Sequence, residues 1–197
     1  MTANIIFIHG VNSQKTGYSN ILYKNIIKDY IGKLPDKGLS ETEAKEKAYS
    51  LVQKEILWAD VTTNLTNRYL FLQYHLSKKS GKWNFFIKEI DPLMMQILYY
   101  IKDKGHKKGP MTILKEVHES FKAACPNKKD NVVVIAHSLG SVIAYDYLCR
   151  FRKFYLDPAI KVEAFITLGS PIPLFTSAMG FVENKFKWPS NVKSWIN

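Results

Sequence analysis

The stretch VVVIAHSLGSVIAYDYL, Val132 to Leu148, limits the fold of this chain more than any other. Val132 to Ala136 is an unbroken apolar run, mostly β-branched, the pattern of a strand covered on both faces. From Leu139 the apolar residues follow a helix-like pattern. Between the two lies Ala136-His137-Ser138-Leu139-Gly140. A strand that becomes a helix within so few residues must turn sharply. The positions two before and two after the apex must then be small, because neighbouring backbone passes close. The pentapeptide differs by one letter from the Gly-x-Ser-x-Gly elbow, and alanine at its first position keeps the small size. Such a turn holds the serine in a strained backbone conformation and lifts its Oγ above the sheet. It also sets the Leu139 N–H and the helix N-terminus beneath a developing oxyanion. The competing interpretation is a serine that merely caps an ordinary strand-to-helix turn. The buried strand before it and the helix after it favour a nucleophile.

The rest of the chain supplies a frame for that turn. NIIFIHG (Asn4–Gly10) is a second short apolar run, ending in glycine. After a polar loop, Ile21, Leu22, Ile26, Ile27, Tyr30 and Ile31 recur at helical spacing, with Gly32 as the expected stop. KEILWAD (Lys54–Asp60) is expected as a strand. Trp83–Asp103 is expected to be an apolar helix with Pro92 at its start or at a kink. Lys104 to Pro110 is expected as a basic loop, and MTILKEVHESFKAA as an amphipathic helix. Pro126 to Asn131 reads as a turn. A helix is expected from Leu139 to about Phe151, a strand at VEAFITLGSP (Val162–Pro171), and the start of a strand at VKSWIN. Alternating strands and helices predict an α/β fold with a mostly parallel sheet flanked by helices. Both special loops, after His9 and after Ala136, then fall at carboxyl ends of strands, where such sheets bind ligands.

At 197 residues and 46% hydrophobic content, the chain suits a single domain spanning 1–197. Residues 61–109 are expected as a helical insertion before the nucleophile strand, in the place of a lid. The competing interpretation of Trp83–Asp103 is a plain core helix. The net charge is +11 and the pI about 9.5, which favours anionic surfaces. The lysines are scattered through polar stretches and no nucleic-acid motif accompanies them, so a solvated surface is favoured over nucleic-acid binding. Cys125 and Cys149 make no disulfide framework and no metal-ligand spacing. No metal and no cofactor is expected. Without a signal peptide or a spanning apolar run, the expectation is a cytoplasmic protein with peripheral membrane contact available to it.

The segments FIHGVNSQKTGYS, AHSLGSVIAYDYL and FITLGSPIPLF together resemble the α/β-hydrolase superfamily, closest to bacterial serine esterase- or lipase-like members. The resemblance covers about Asn4–Lys28 and Val132–Asn197. It implies a hydrolase fold and Ser138 as nucleophile, acting on a carboxylic ester or lipid. It also implies a second oxyanion N–H, from Val11, in the loop opened by His9-Gly10. His9, Gly10, Ala136, His137 and Gly140 then support the elbow and the loop.

That superfamily orders its triad as nucleophile, acid, histidine. The five histidines here are His9, His75, His106, His118 and His137, and none follows Ser138. His137 is expected to point away from Oγ, and His9 to pack in its loop. Asp146, Asp157 and Glu183 are weak candidates for the acid. VKSWIN resembles the family's penultimate strand. The chain is therefore expected to stop before its acid and base, as a fragment or truncation of low activity, with a sheet edge open to dimerisation. The alternative function is a non-catalytic binding or scaffolding module on the same fold.

Overall fold

A computed structural model of the chain describes residues 3–11, 14–59, 96–97, 100, 112–126, 131–151, 160–178 and 187–197. Strand β1 (Ala3–Ile8) leads through a loop to helix α1 (Asn20–Lys33). A short 3-10 turn (Pro35–Lys37), helix α2 (Glu41–Tyr49) and strand β2 (Leu51–Ile56) follow. Beyond them come α3 (Thr112–Ala124), β3 (Asn131–His137) and α4 (Leu139–Asp146), the last running into a π-helical turn (Tyr147–Phe151). Strand β4 (Lys161–Leu168), helix α5 (Ile172–Ala178) and strand β5 (Val192–Ile196) complete the described elements.

The strands form one five-stranded sheet in the order β2-β1-β3-β4-β5, and every pairing is parallel. The expected α/β architecture is what the chain adopts. The runs read as doubly covered strands are buried for that reason: Ile5 to Ile8 of β1 are 0–4% exposed. Ile6, Ile8, Val134 and Ala136 belong to a large core with residues of α3 and α4. Ile5, Phe7 and Ile135 face the other way and pack with Tyr23 and Ile26 of α1.

The strand order decides where a site can form. The chain leaves β1 for β2 on one side and returns to β3 on the other. The carboxyl ends of β1 and β3 are thus adjacent at a reversal of strand order, the place where open parallel sheets leave a crevice.

Several local expectations are corrected. The second strand is Leu51–Ile56 rather than Lys54–Asp60. Trp58 and Ala59 are apolar because they lie in the core, at 0% and 1% exposure, not because they pair in the sheet. Gly32 does not stop α1. A helix tolerates one glycine at a cost of about 1 kcal/mol, and the break comes at Pro35 and at Gly38, which has a φ of 82°. Helix α2, which the hydrophobic pattern does not announce, is started by a capping box. Ser40 accepts from the Glu43 N–H, and the Glu43 carboxylate accepts from the Ser40 N–H. Helix α4 ends at Asp146, and a π-helical turn replaces the regular helix expected to Phe151.

The proposed insertion at 61–109 lies outside the described residues except for Gln96, Ile97 and Tyr100, which are helical. Tyr100 is buried, and its hydroxyl donates to the Asp146 carboxylate. The 104–110 loop lies outside them entirely, as do Asp157 and Glu183.

Candidate active site

Ser138 stands between β3 and α4 with φ 49° and ψ −128°. Among the described residues it is the one non-glycine residue at positive φ. A side chain in that region carries a cost of about 1–3 kcal/mol, so surrounding contacts must hold it there. They do so at several points. The Ser138 N–H donates to the Leu168 carbonyl at 2.9 Å, across from β3 to β4. Ala136, 0% exposed, is paired with Ile8 on one side and Thr167 on the other. Gly140 sits against the end of β1, where a Cβ would come within 2.1 Å of the His9 carbonyl oxygen. The requirement for small residues beside the elbow therefore has a definite cause at Gly140: the backbone of β1 fills the space. Leu139 is buried at the first turn of α4, while Ser138 is half-exposed.

The loop after β1 meets this turn. A Cβ on Gly10 would lie 2.9 Å from the Ser138 Cβ and 3.0 Å from the His137 Nδ1. Gly10 thus lies directly beside the serine. His9 is buried, stacked on Trp58 at 5.3 Å and edge-on to Tyr18 at 5.4 Å. A carbonyl can only accept, so the His9 Nδ1–H donates to the Gly10 oxygen at 2.8 Å. With that carbonyl turned toward the His9 ring, the Val11 N–H of the same trans peptide points the opposite way. The indole N–H of Trp58 donates to the His9 carbonyl at 2.8 Å. His9 packs in its loop, as expected.

A cleft of about 370 Å³ opens beside the elbow. Gly10, Val11 and His137 line it, together with Tyr18, Leu22 and Leu168. Ser138 borders it through its contacts with Gly10 and His137 rather than lining it. His137 is exposed at the cleft. His118 lies on α3 and pairs with the Tyr147 hydroxyl at 3.0 Å. That contact falls beyond the far end of α4 from Ser138, roughly 12 Å of helix away. Burial lowers the His118 pKa, opposed by the Glu119 charge. His75 and His106 lie outside the described residues, and among the described residues no metal-ligating cluster occurs.

Glu55, which the sequence reading passed over, organises the cleft wall. From β2 its carboxylate accepts the Gly17 N–H at 2.6 Å, the Ser19 N–H at 2.7 Å and the Ser19 hydroxyl at 2.6 Å. Burial pushes its pKa up, but the hydrogen bonds from Ser19 and Gly17 outweigh that and hold it below the usual value. Its strand, LVQKEI, also carries Gln53 and Lys54, so nothing in the local pattern set Glu55 apart. Tyr18, fixed by this arrangement, donates its hydroxyl to the Phe7 carbonyl at 2.7 Å. Burial and the Glu55 charge raise its pKa, so it remains a phenol.

Glu55→Gln is expected to lower stability by about 1–2 kcal/mol at pH 7, since the site is partly open to solvent screening. A carboxylate with a depressed folded pKa contributes stability above its unfolded value, near pH 4, and loses it as pH falls through the folded value. The deficit of the variant should therefore narrow below about pH 4. Urea unfolding at neutral and acid pH measures this, and a deficit that grows on acidification contradicts it.

The chain is similar to an intracellular phospholipase A1 of Caenorhabditis elegans, at 24% identity over 159 residues. That alignment takes in 77% of this chain and 17% of the nematode protein, so the chain spans less than a fifth of that relative's length. No protein-family model matches the chain, and no solved structure matches it significantly.

Proposed function

We propose that this chain carries the nucleophile half of a serine hydrolase site acting on carboxylic esters of lipids. Ser138 attacks the ester carbonyl and forms an acyl-enzyme, the alcohol leaves, and water releases the acid. The Leu139 and Val11 N–H groups hold the oxyanion. The observation that carries this reading is Ser138 at φ 49° with Gly10 packed against its Cβ. A residue that merely caps a helix has no need of a positive φ. The Val11 N–H, turned away from His9, suits a second donor.

The lipid side of the reading rests on the cleft and on the similarity. Phe7, Ile8, Val11, Leu22, Ile135 and Leu168 supply apolar walls that suit an acyl chain. Leu22 and Leu168 are each 40% exposed at that cleft, and the neighbouring Ile21 is 78% exposed. With a net charge of +11, these residues suit contact with an anionic lipid surface. The relative is named a phospholipase. No helix of the described residues is long and apolar enough to cross a membrane.

Exposure to a fluorophosphonate followed by peptide mass spectrometry tests the assignment. A single phosphonyl adduct is expected on the peptide containing Ser138. An adduct at another serine, or none, would leave the fold as a binding module rather than an enzyme.

A further inference from the structure

Both backbone groups of Ser138 are governed by the segment leaving β4. The N–H is held directly, by the Leu168 carbonyl at 2.9 Å. The carbonyl is held through side chains. The Ser141 hydroxyl donates to it at 2.5 Å, and the Ser141 N–H does so at 3.0 Å. Ser141 is 0% exposed. Its one proton is committed to that carbonyl, so the 2.7 Å contact between Ser141 Oγ and Ser170 Oγ must run the other way, with Ser170 donating. Ser170 in turn accepts the Ile172 N–H at 3.3 Å. The result is a directed chain of donors: Ile172 N–H to Ser170, Ser170 to Ser141, Ser141 to the Ser138 carbonyl. Each hydroxyl both accepts and donates, so each bond polarises the next.

Packing does not require this arrangement. A serine buried within α4 competes with the helix backbone, and an alanine would fill the site at no polar cost. What the two hydroxyls do is clamp the one non-glycine residue at positive φ among those described. We infer that Ser141 and Ser170 are positioning residues, a hydroxyl relay that fixes the strained backbone of Ser138 from the exit of β4. The relay rests on the proposed role of Ser138 only for its effect on reactivity; its effect on geometry stands apart from that role.

Two measurements on Ser141→Ala, Ser170→Ala and the double variant test it. The first is the second-order rate of fluorophosphonate labelling of the folded protein. Each single substitution is expected to slow labelling by about tenfold. The double variant should be little slower than either alone, because the bonds act as one chain. Ser170→Thr, which keeps the hydroxyl, should restore most of the rate. Melting temperatures measured in parallel identify a purely structural role, for which stability falls while the labelling rate of the folded protein is unchanged; that pattern overturns the relay. The second measurement is the crystal structure of Ser141→Ala, in which the Ser141 N–H remains but the hydroxyl is gone. Ser138 is expected to rotate away from φ 49°. If it keeps its conformation, the relay does not hold the elbow. Should the unaltered protein fail to label, the nucleophile assignment falls, and the structure of the variant alone decides the relay.

Discussion

Replacing Ser138 by alanine is expected to remove fluorophosphonate labelling, and with it any lipid-ester hydrolysis that proceeds through this residue. The substitution deletes the only atom proposed to form the covalent bond and leaves the remainder of the site in place. The N–H to Leu168 and the two bonds from Ser141 to the residue 138 carbonyl involve backbone only at position 138, so alanine keeps them. Alanine bears the same Cβ as serine and accepts the same φ at similar strain. Stability should therefore change by well under 1 kcal/mol, a surface-like value. Fatty-acid release from phospholipid vesicles, alongside thermal unfolding, measures both quantities. Turnover by the alanine variant at the unaltered rate would rule out Ser138 as nucleophile whatever its conformation.

Gly140→Ala is expected to act through the fold. Its Cβ would lie 2.1 Å from the His9 oxygen, 2.8 Å from the His9 carbon and 2.8 Å from the Ile8 oxygen. All three are backbone atoms. Ile8 is paired on both sides, to β2 and to β3. The His9 carbonyl already receives the Trp58 indole N–H. No flexible side chain can move aside, so α4 must lift from β1 and take the Ser138 turn with it. We expect a loss of about 3 kcal/mol or more, at the upper end of overpacking, with Ser138 labelling falling as well. Circular dichroism through a urea titration gives the first value. A variant within about 1 kcal/mol of the original would show that the approach of α4 to β1 is looser than these distances say.

The chain announces the sharp turn at Ser138 openly because the information is local. Ala136, Ser138 and Gly140 are within five residues of one another, between a β-branched run and a helical pattern, and each constraint acts on immediate neighbours. The same holds for β1 and β3, whose apolar runs record burial on both faces. Boundaries were less legible. Trp58 lengthened an expected strand because an apolar residue in the core and one in a strand look alike in a sequence.

The meeting of distant segments was decided by the tertiary structure. That Gly10 abuts Ser138 follows from β1 lying between β2 and β3, an order that no single segment encodes. Glu55 reaches Gly17 and Ser19 across 38 and 36 residues. Ser170 reaches Ser141 across 29. Nothing in the residues around Glu55 or Ser170 marks them as partners of those loops. Periodicity and turn chemistry are written in neighbouring side chains and so can be read along the chain. A hydrogen bond between remote segments exists only once packing has brought its two ends together, and its residues then take their roles from the sheet order rather than from their own surroundings in sequence.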